Sequence, residues 1–249
     1  MSFEERIRNA SETNKSRIVL ALDLEDPSPK KLADRSREVL RKVSSFICAV
    51  KLNRQLVLSL GLRDGVDSIV ELAHELSLPT IMDAKLNDVG HTNEFMMRTY
   101  ADVGFDAIIA SPVVGWKDGL EPVFRVADSR GKAVILLVYM SNPGAEMFYS
   151  LMVNQGREPS RPVFEQLTQL AVQWNAHGAI VAATKPEIIR RVRELANGKL
   201  RIYSPGVGVQ GGDARRAIQS GADYLIVGRS IYQDRDPAKA AELLRNEAL

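Results

Sequence analysis

Short apolar runs recur along the whole chain, separated by amphipathic stretches of helical length. The runs are Arg17–Asp23, Phe46–Leu52, Pro79–Lys85, Asp106–Ser111, Ala133–Val138, Gly178–Ala182, Leu200–Ser204 and Asp223–Val227. Their apolar character is continuous, as in AVILLV, whereas a half-exposed strand alternates. Strands buried on both faces read this way, and such strands pair in parallel. Most runs start roughly 22 to 33 residues after the previous one, the length of a strand–helix–strand unit. The exception lies between the fifth and sixth runs, where a longer insert sits around Glu146–Pro162.

Two joints repeat. Gly104-Phe-Asp106 and Gly221-Ala-Asp223 each end a helix with a glycine that tolerates positive φ, and then open a strand. Eight such units in one chain predict a closed (β/α)8 barrel, the TIM-barrel class; periodicity alone leaves a doubly wound sheet as the alternative. The length of 249 residues fits, since such barrels take about 250. No linker or shift of composition divides the chain. One domain over residues 1–249 is expected, with residues 1–14 as a helical N-terminal extension outside the barrel.

Composition removes several function classes. Lys and Arg total 33 against 31 Asp and Glu, a net charge of +2, which leaves no field for nucleic acid or a membrane surface. The opening MSFEERIRNASETNKS has no apolar segment of the signal-peptide kind. No run approaches the roughly 18 apolar residues of a membrane span. A cytoplasmic protein is the reading. Cys48, the single cysteine, lies in the apolar stretch Phe46–Val50 and reads as a buried structural thiol. His74, His91 and His177 lack metal-ligand spacing, and His91 reads as a surface residue at a helix start. Trp116 and Trp174 read as packing residues.

The strand ends carry the candidate chemistry. Barrel enzymes build their sites at the C-terminal ends of the strands. Asp23 ends the first run, Lys51 stands near the end of the second, and Asp83 and Lys85 lie near the end of the third, two apart and so on one side of a strand. One charge of this kind is readily a strand end facing water; four together point to function, because buried charges are costly unless paired. Asp88 lies in the following loop, Leu86–His91, from which a side chain reaches back or toward a neighbouring chain. Asp83 and Asp88 would thus bracket Lys85 and keep it protonated, as a proton donor to a developing carbanion requires.

A second cluster suggests phosphate. Ser204-Pro-Gly-Val-Gly-Val-Gln-Gly-Gly-Asp213 follows the seventh run and Gly228-Arg229-Ser230 the eighth. Glycines there bring backbone N–H groups close to an anion, and Arg229 adds a fork of donors. The fifth loop, Met140-Ser-Asn-Pro-Gly-Ala-Glu146, offers a hydroxyl at a turn facing that end.

Between about Arg17 and Tyr232 these residues resemble the orotidine 5′-monophosphate decarboxylase family. The carrying segments are ALD at 21–23, Lys51, DAKLNDVGHT at 83–92, MSNPGAE at 140–146, SPGVGVQGGD at 204–213 and VGRSIY at 227–232. The resemblance implies conversion of orotidine 5′-monophosphate to uridine 5′-monophosphate, the last step of pyrimidine nucleotide synthesis, with no metal or organic cofactor. It places Asp83 beside the substrate carboxylate, Lys85 as the proton donor to C6, and Lys51 within the charge network. It assigns Asp23 and Lys51 to ribose hydroxyls, Ser141 to the pyrimidine amide edge, and Gln210, Gly228 and Arg229 to the phosphate. Asp88 and Thr92 would be donated to the partner's site in a homodimer. Asn53 and Val89 stand where glycine and isoleucine are common in the family; neither removes a charge.

Two relatives share Asp-x-Lys-x-x-Asp on this fold: 3-keto-L-gulonate 6-phosphate decarboxylase and hexulose-6-phosphate synthase. They use magnesium and carry an acid at the end of the second strand. Lys51 holds that place here and repels a metal. A non-catalytic phosphate-binding barrel would explain the glycines and Arg229 but not the costly charges of the third run.

Overall fold

The structure, a computed structural model, describes residues 1–154, 156 and 159–249. All eight expected runs form strands: β1 (Ile18–Ala21), β2 (Ala49–Asn53), β3 (Thr80–Leu86), β4 (Ala107–Ala110), β5 (Ala133–Tyr139), then, after two short strands of the insert, β8 (Gly178–Val181), β9 (Arg201–Pro205) and β10 (Tyr224–Val227). The insert strands, β6 (Met152–Val153) and β7 (Arg161–Pro162), form a separate antiparallel pair. The eight long-range strands close into a barrel of order β1-β10-β9-β8-β5-β4-β3-β2, parallel throughout. Closure removes the doubly wound sheet as an alternative. Every residue of β5 is buried, as its unbroken apolar sequence requires.

The helices are α1 (Phe3–Asn14), α2 (Pro29–Val43), α3 (Arg54–Leu60), α4 (Asp67–Glu75), α5 (Gly90–Val103) and α6 (Glu121–Arg130) in the first half. The second half carries α7 (Glu146–Tyr149), α8 (Val163–Gln173), α9 (Pro186–Ala196), α10 (Ala214–Gln219), α11 (Arg229–Tyr232) and α12 (Pro237–Glu247). None of the described helices is long and apolar enough to cross a membrane. Gly104 and Gly221 take φ of 110° and 111°, as their places at helix ends demand. Cys48 is fully buried, and burial pushes its thiol pKa up. Trp116 and Trp174 pack against each other with ring centroids 5.3 Å apart.

The N-terminal extension does more than lie outside. A capping box between Ser2 and Glu5 starts α1, which buries Phe3, Ile7 and Ala10 at the N-terminal pole of the barrel. Its anchor is Asp106, just before β4. This buried carboxylate accepts from Arg6 Nη1 at 2.8 Å, His74 Nε2 at 2.9 Å, and the Thr80 backbone N–H and hydroxyl at 2.9 and 3.2 Å. Burial alone would raise the Asp106 pKa, but the His74 and Thr80 bonds and the Arg6 charge outweigh it and hold it low. His74 is therefore a structural residue that ties α4 to the carboxylate joining β3 and β4.

Asp106→Asn keeps the shape of this hub and removes its charge. Stability at neutral pH is expected to fall by about 2–3 kcal/mol, somewhat under a fully buried broken pair because Arg6 and His74 are partly exposed. Thermal unfolding would register this as a drop of several degrees. An unchanged midpoint would mean that the pole does not rely on this carboxylate.

Candidate active site

The C-terminal ends of the strands surround a cavity of about 390 Å³. Eight of the ten residues singled out from the sequence line it: Asp23, Lys51, Asp83, Lys85, Ser141, Gln210, Gly228 and Arg229. Asp88 and Thr92 do not. Asp88 is exposed in the loop after β3, its Oδ1 accepting from the Val89 N–H at 2.7 Å, and Thr92 lies in the first turn of α5. His91 is exposed beside it.

The charged residues form a linear array. Lys51 Nζ lies 3.3 Å from Asp23 Oδ1 and 3.0 Å from Asp83 Oδ2, while Lys85 Nζ lies 2.6 Å from Asp83 Oδ1. The sequence suggested two carboxylates bracketing one ammonium. Within one chain the geometry is the reverse, because Asp83 is bracketed by Lys51 and Lys85, and no bond joins Asp88 to Lys85 among the described residues. Burial alone would lower the Lys51 pKa, but Asp83 and Asp23 outweigh it and hold the ammonium charged. Burial would likewise raise Asp83, but Lys51 and Lys85 hold it below the usual carboxylate range.

The backbone of β3 makes this reach possible. Ile81 and Met82 pair with Ala107 and Ile108, yet the next pair is Leu86 with Ala110. Two extra residues are thus taken up between Met82 and Leu86, and Lys85 takes a left-handed φ of 45°. Bulges beside a site re-aim side chains, and a lysine held at positive φ is a local strain that its surroundings must hold.

The opposite end of the cavity is built from glycine-permitted close approaches. At Gly208, with φ 76°, a Cβ would lie 2.2 Å from Ser230 Oγ; at Gly228 it would lie 3.1 Å from the Ala21 carbonyl oxygen. The loop amides are less available than the sequence suggested. The N–H groups of Gly208, Gly211 and Gly212 donate to carbonyls within the loop, and that of Val209 to Ser230 Oγ. The exposed polar groups at this end of the cavity include the side chains of Arg229 at the rim and Gln210.

The strand-end reading missed the floor and one wall. Ile109, Leu137, Ile180 and Ile226, from β4, β5, β8 and β10, give the cavity an apolar base that strengthens every charge interaction above it. Strand parity relative to Lys51 was the only available signal for them. Gln55 also lines the cavity, and Asn53, the N-cap of α3, donates to its Oε1 at 2.7 Å. The insert forms α7 and the β6–β7 pair; Gln155, Arg157 and Glu158 lie outside the described residues. Among the described residues, no group of three or more His, Cys, Asp or Glu is arranged to hold a metal ion.

The profile of the Orotidine 5'-phosphate decarboxylase / HUMPS family matches residues 16–244. The orotidine 5'-phosphate decarboxylase of Thermococcus kodakarensis is 38% identical over 234 residues, covering 94% of this chain and 97% of that protein. That of Methanococcoides burtonii is 34% identical over 233 residues, covering 94% and 97%. Among solved structures, the Pyrococcus horikoshii orotidine 5'-phosphate decarboxylase superposes with a TM-score of 0.76 at 32% identity, covering 93% of this chain and 98% of that one. The Methanocaldococcus jannaschii enzyme, complexed with the inhibitor BMP, gives 0.79 at 29% identity, covering 94% and 98%. Leishmania donovani UMP synthase gives 0.86 at 26% identity; all of this chain is covered, and it spans 56% of that longer one.

Lys51→Met tests the array through its pH dependence. Asp83 has a lowered folded pKa, so its contribution is present above the ordinary carboxylate range and is lost as pH falls through the lowered value. Lys51 has a raised one, so its contribution is present below the ordinary lysine value and is lost as pH rises through the raised value. The variant is expected to lose about 3 kcal/mol of stability between roughly pH 6 and 9. The deficit should shrink as pH falls through the lowered Asp83 value. A deficit independent of pH in denaturant titrations would contradict the array.

Proposed function

The chain belongs to the orotidine 5'-phosphate decarboxylase / HUMPS family and is a carboxy-lyase, and from that premise we propose that it decarboxylates orotidine 5′-monophosphate to uridine 5′-monophosphate with Lys85 as the proton donor. The observation that carries the reading is Asp83, held ionised between Lys51 and Lys85 in a cavity with Arg229 at its rim.

The C6–carboxylate bond breaks, carbon dioxide departs, and the electron pair stays at C6. The Lys85 ammonium stabilises that charge and then transfers its proton to C6; water later returns the proton to the amine. Fixed charges aimed at developing charge need no reorganisation at the moment of reaction. Asp83, kept negative by two cations, repels a carboxylate beside it and favours its departure. Asp23 and Lys51 hold the ribose hydroxyls, Ser141 the pyrimidine amide edge, and Gln210, Gly228 and Arg229 the phosphate, whose binding energy serves the distant reacting carbon. The reaction needs no cofactor. Lys51 supports this enzyme over the magnesium-dependent members of the family, because its ammonium occupies the neighbourhood a metal would need.

The active unit is a homodimer in which Asp88 and Thr92 of each chain serve the other's site. Both lie outside their own chain's cavity, Asp88 exposed and Thr92 half-buried, which supports this arrangement.

In Lys85→Ala, kcat is expected to fall by at least roughly 10²–10⁴-fold, the scale of a lost general acid, while uridine 5′-monophosphate still binds. The assay follows absorbance of orotidine 5′-monophosphate in the presence of a chelator. Near-normal kcat would remove Lys85 from the role, and a metal requirement in the unaltered enzyme would favour the other branch of the family.

Mixing Asp88→Asn with Arg229→Ala tests the dimer. Each homodimer lacks one group at every site and should be severely impaired. After subunit exchange, half the dimers are mixed and one site in each is whole, so about a quarter of the unaltered activity should return. No return despite exchange proven with a mass-tagged chain would assign Asp88 to its own chain.

A further inference from the structure

Asp88 stands on a loop, and a loop carboxylate that must meet a second chain's substrate needs an anchor of its own. Asn93, in the first turns of α5, supplies one. Its side chain is fully buried, and three hydrogen bonds use it. Nδ2 donates to the Asp88 carbonyl at 2.5 Å and to the Gly119 carbonyl at 3.2 Å, while Oδ1 accepts from the Asp88 backbone N–H at 3.2 Å. Both backbone groups of Asp88 end on one amide, and the third bond ties that amide to the segment after β4.

The surroundings keep the clamp shut. A Cβ at Gly90 would lie 3.0 Å from the backbone carbon and oxygen of Asp118, so these two segments press together where only glycine fits. The Asp88 carboxylate is left on the exposed side. The pattern calls for two donors and one acceptor on a short planar group, which a primary amide offers and a carboxylate or hydroxyl does not.

We propose that Asn93 is a positioning residue that sets the Asp88 carboxylate for delivery to the partner's site, an inference that rests on the assignment of Asp88 to that site. A misplacement of about 1 Å far from the chemistry costs on the order of 10²-fold in rate. Asn93→Ala is therefore expected to lose roughly that factor in kcat/KM, with little further loss when it is added to Asp88→Asn.

The deciding experiment mixes Asn93→Ala with Arg229→Ala under proven subunit exchange, beside the mixture of Asp88→Asn with Arg229→Ala. If Asn93 acts through Asp88 alone, the Asn93→Ala chain keeps a sound barrel, and its site receives a well-placed Asp88 from the other chain. About a quarter of the unaltered activity should then return in both mixtures. Recovery with Asp88→Asn but not with Asn93→Ala would mean that Asn93 supports its own barrel, which overturns the proposal. Recovery in neither would overturn the assignment of Asp88 to the partner, and this inference with it. Should Asn93→Ala not fold, the nearly isosteric Asn93→Asp, which as a carboxylate cannot donate to either carbonyl, takes its place in the same mixture.

Discussion

Ile18 pairs with Leu225, Val19 with Ile226 and Leu20 with Val227, and this seam between β1 and β10 is the constraint on which the site depends. Without it the charged ends of β1 to β3 and the glycine-rich ends of β9 and β10 would lie at opposite edges of an open sheet. With it, Gly228 lies against the backbone of Ala21, and the Tyr232 hydroxyl donates to the Asp23 carbonyl at 3.1 Å, across 209 residues of sequence. The cavity thus has an end of paired charges and a glycine-rich end with Arg229 at its rim because first and last strands are neighbours. Closure also supplies its apolar floor, since four strands each contribute one inward side chain to it.

Within that frame the array balances its own charge. Two ammoniums and two carboxylates sum to zero, so the barrel holds four ions at its mouth with no net charge to neutralise from outside. The balance is local rather than merely net, because each ion has an opposite partner within 3.3 Å. Order along the array matters more than the sum. Asp83 is committed twice, whereas Lys85, at the end of the array and lining the cavity, has one ionic partner among the described residues. The irregular register of β3 and the positive φ of Lys85 are the local cost of that placement, and they fall where function rather than stability would select them.

The strands were legible because burial on both faces leaves a continuous apolar signature, and the site was legible where a charge interrupted it. Asp23, Lys51, Asp83 and Lys85 are visible for the same reason they are costly. What the sequence did not disclose depends on geometry that no spacing encodes. Alternation put Asp83 and Lys85 on one side of a strand but could not say that Lys85 would leave regular β conformation. Glycines announced a close approach after β9, yet gave no sign that the freed amides would be consumed by the loop itself. Asp106 read as the start of a strand, and its role as a hub depends on Arg6, His74 and Thr80 converging from three separate segments. Ile109, Leu137, Ile180 and Ile226 look like any other core residues until the barrel brings them to one cavity.

Trp116 and Trp174 are the chain's two tryptophans, and their rings lie 5.3 Å apart with planes 39° from parallel. Indole transition moments at that range couple, so the pair behaves as one chromophore at a single joint, where the segment after β4 meets the end of α8. Tryptophan emission and near-ultraviolet dichroism therefore view this molecule through one small window, with the β1–β10 seam far outside it in sequence. A fluorescence transition reports the opening of that joint, while far-ultraviolet dichroism reports the barrel as a whole. Agreement between the two optical signals would then measure how far the β4–α8 corner and the barrel unfold as one cooperative unit.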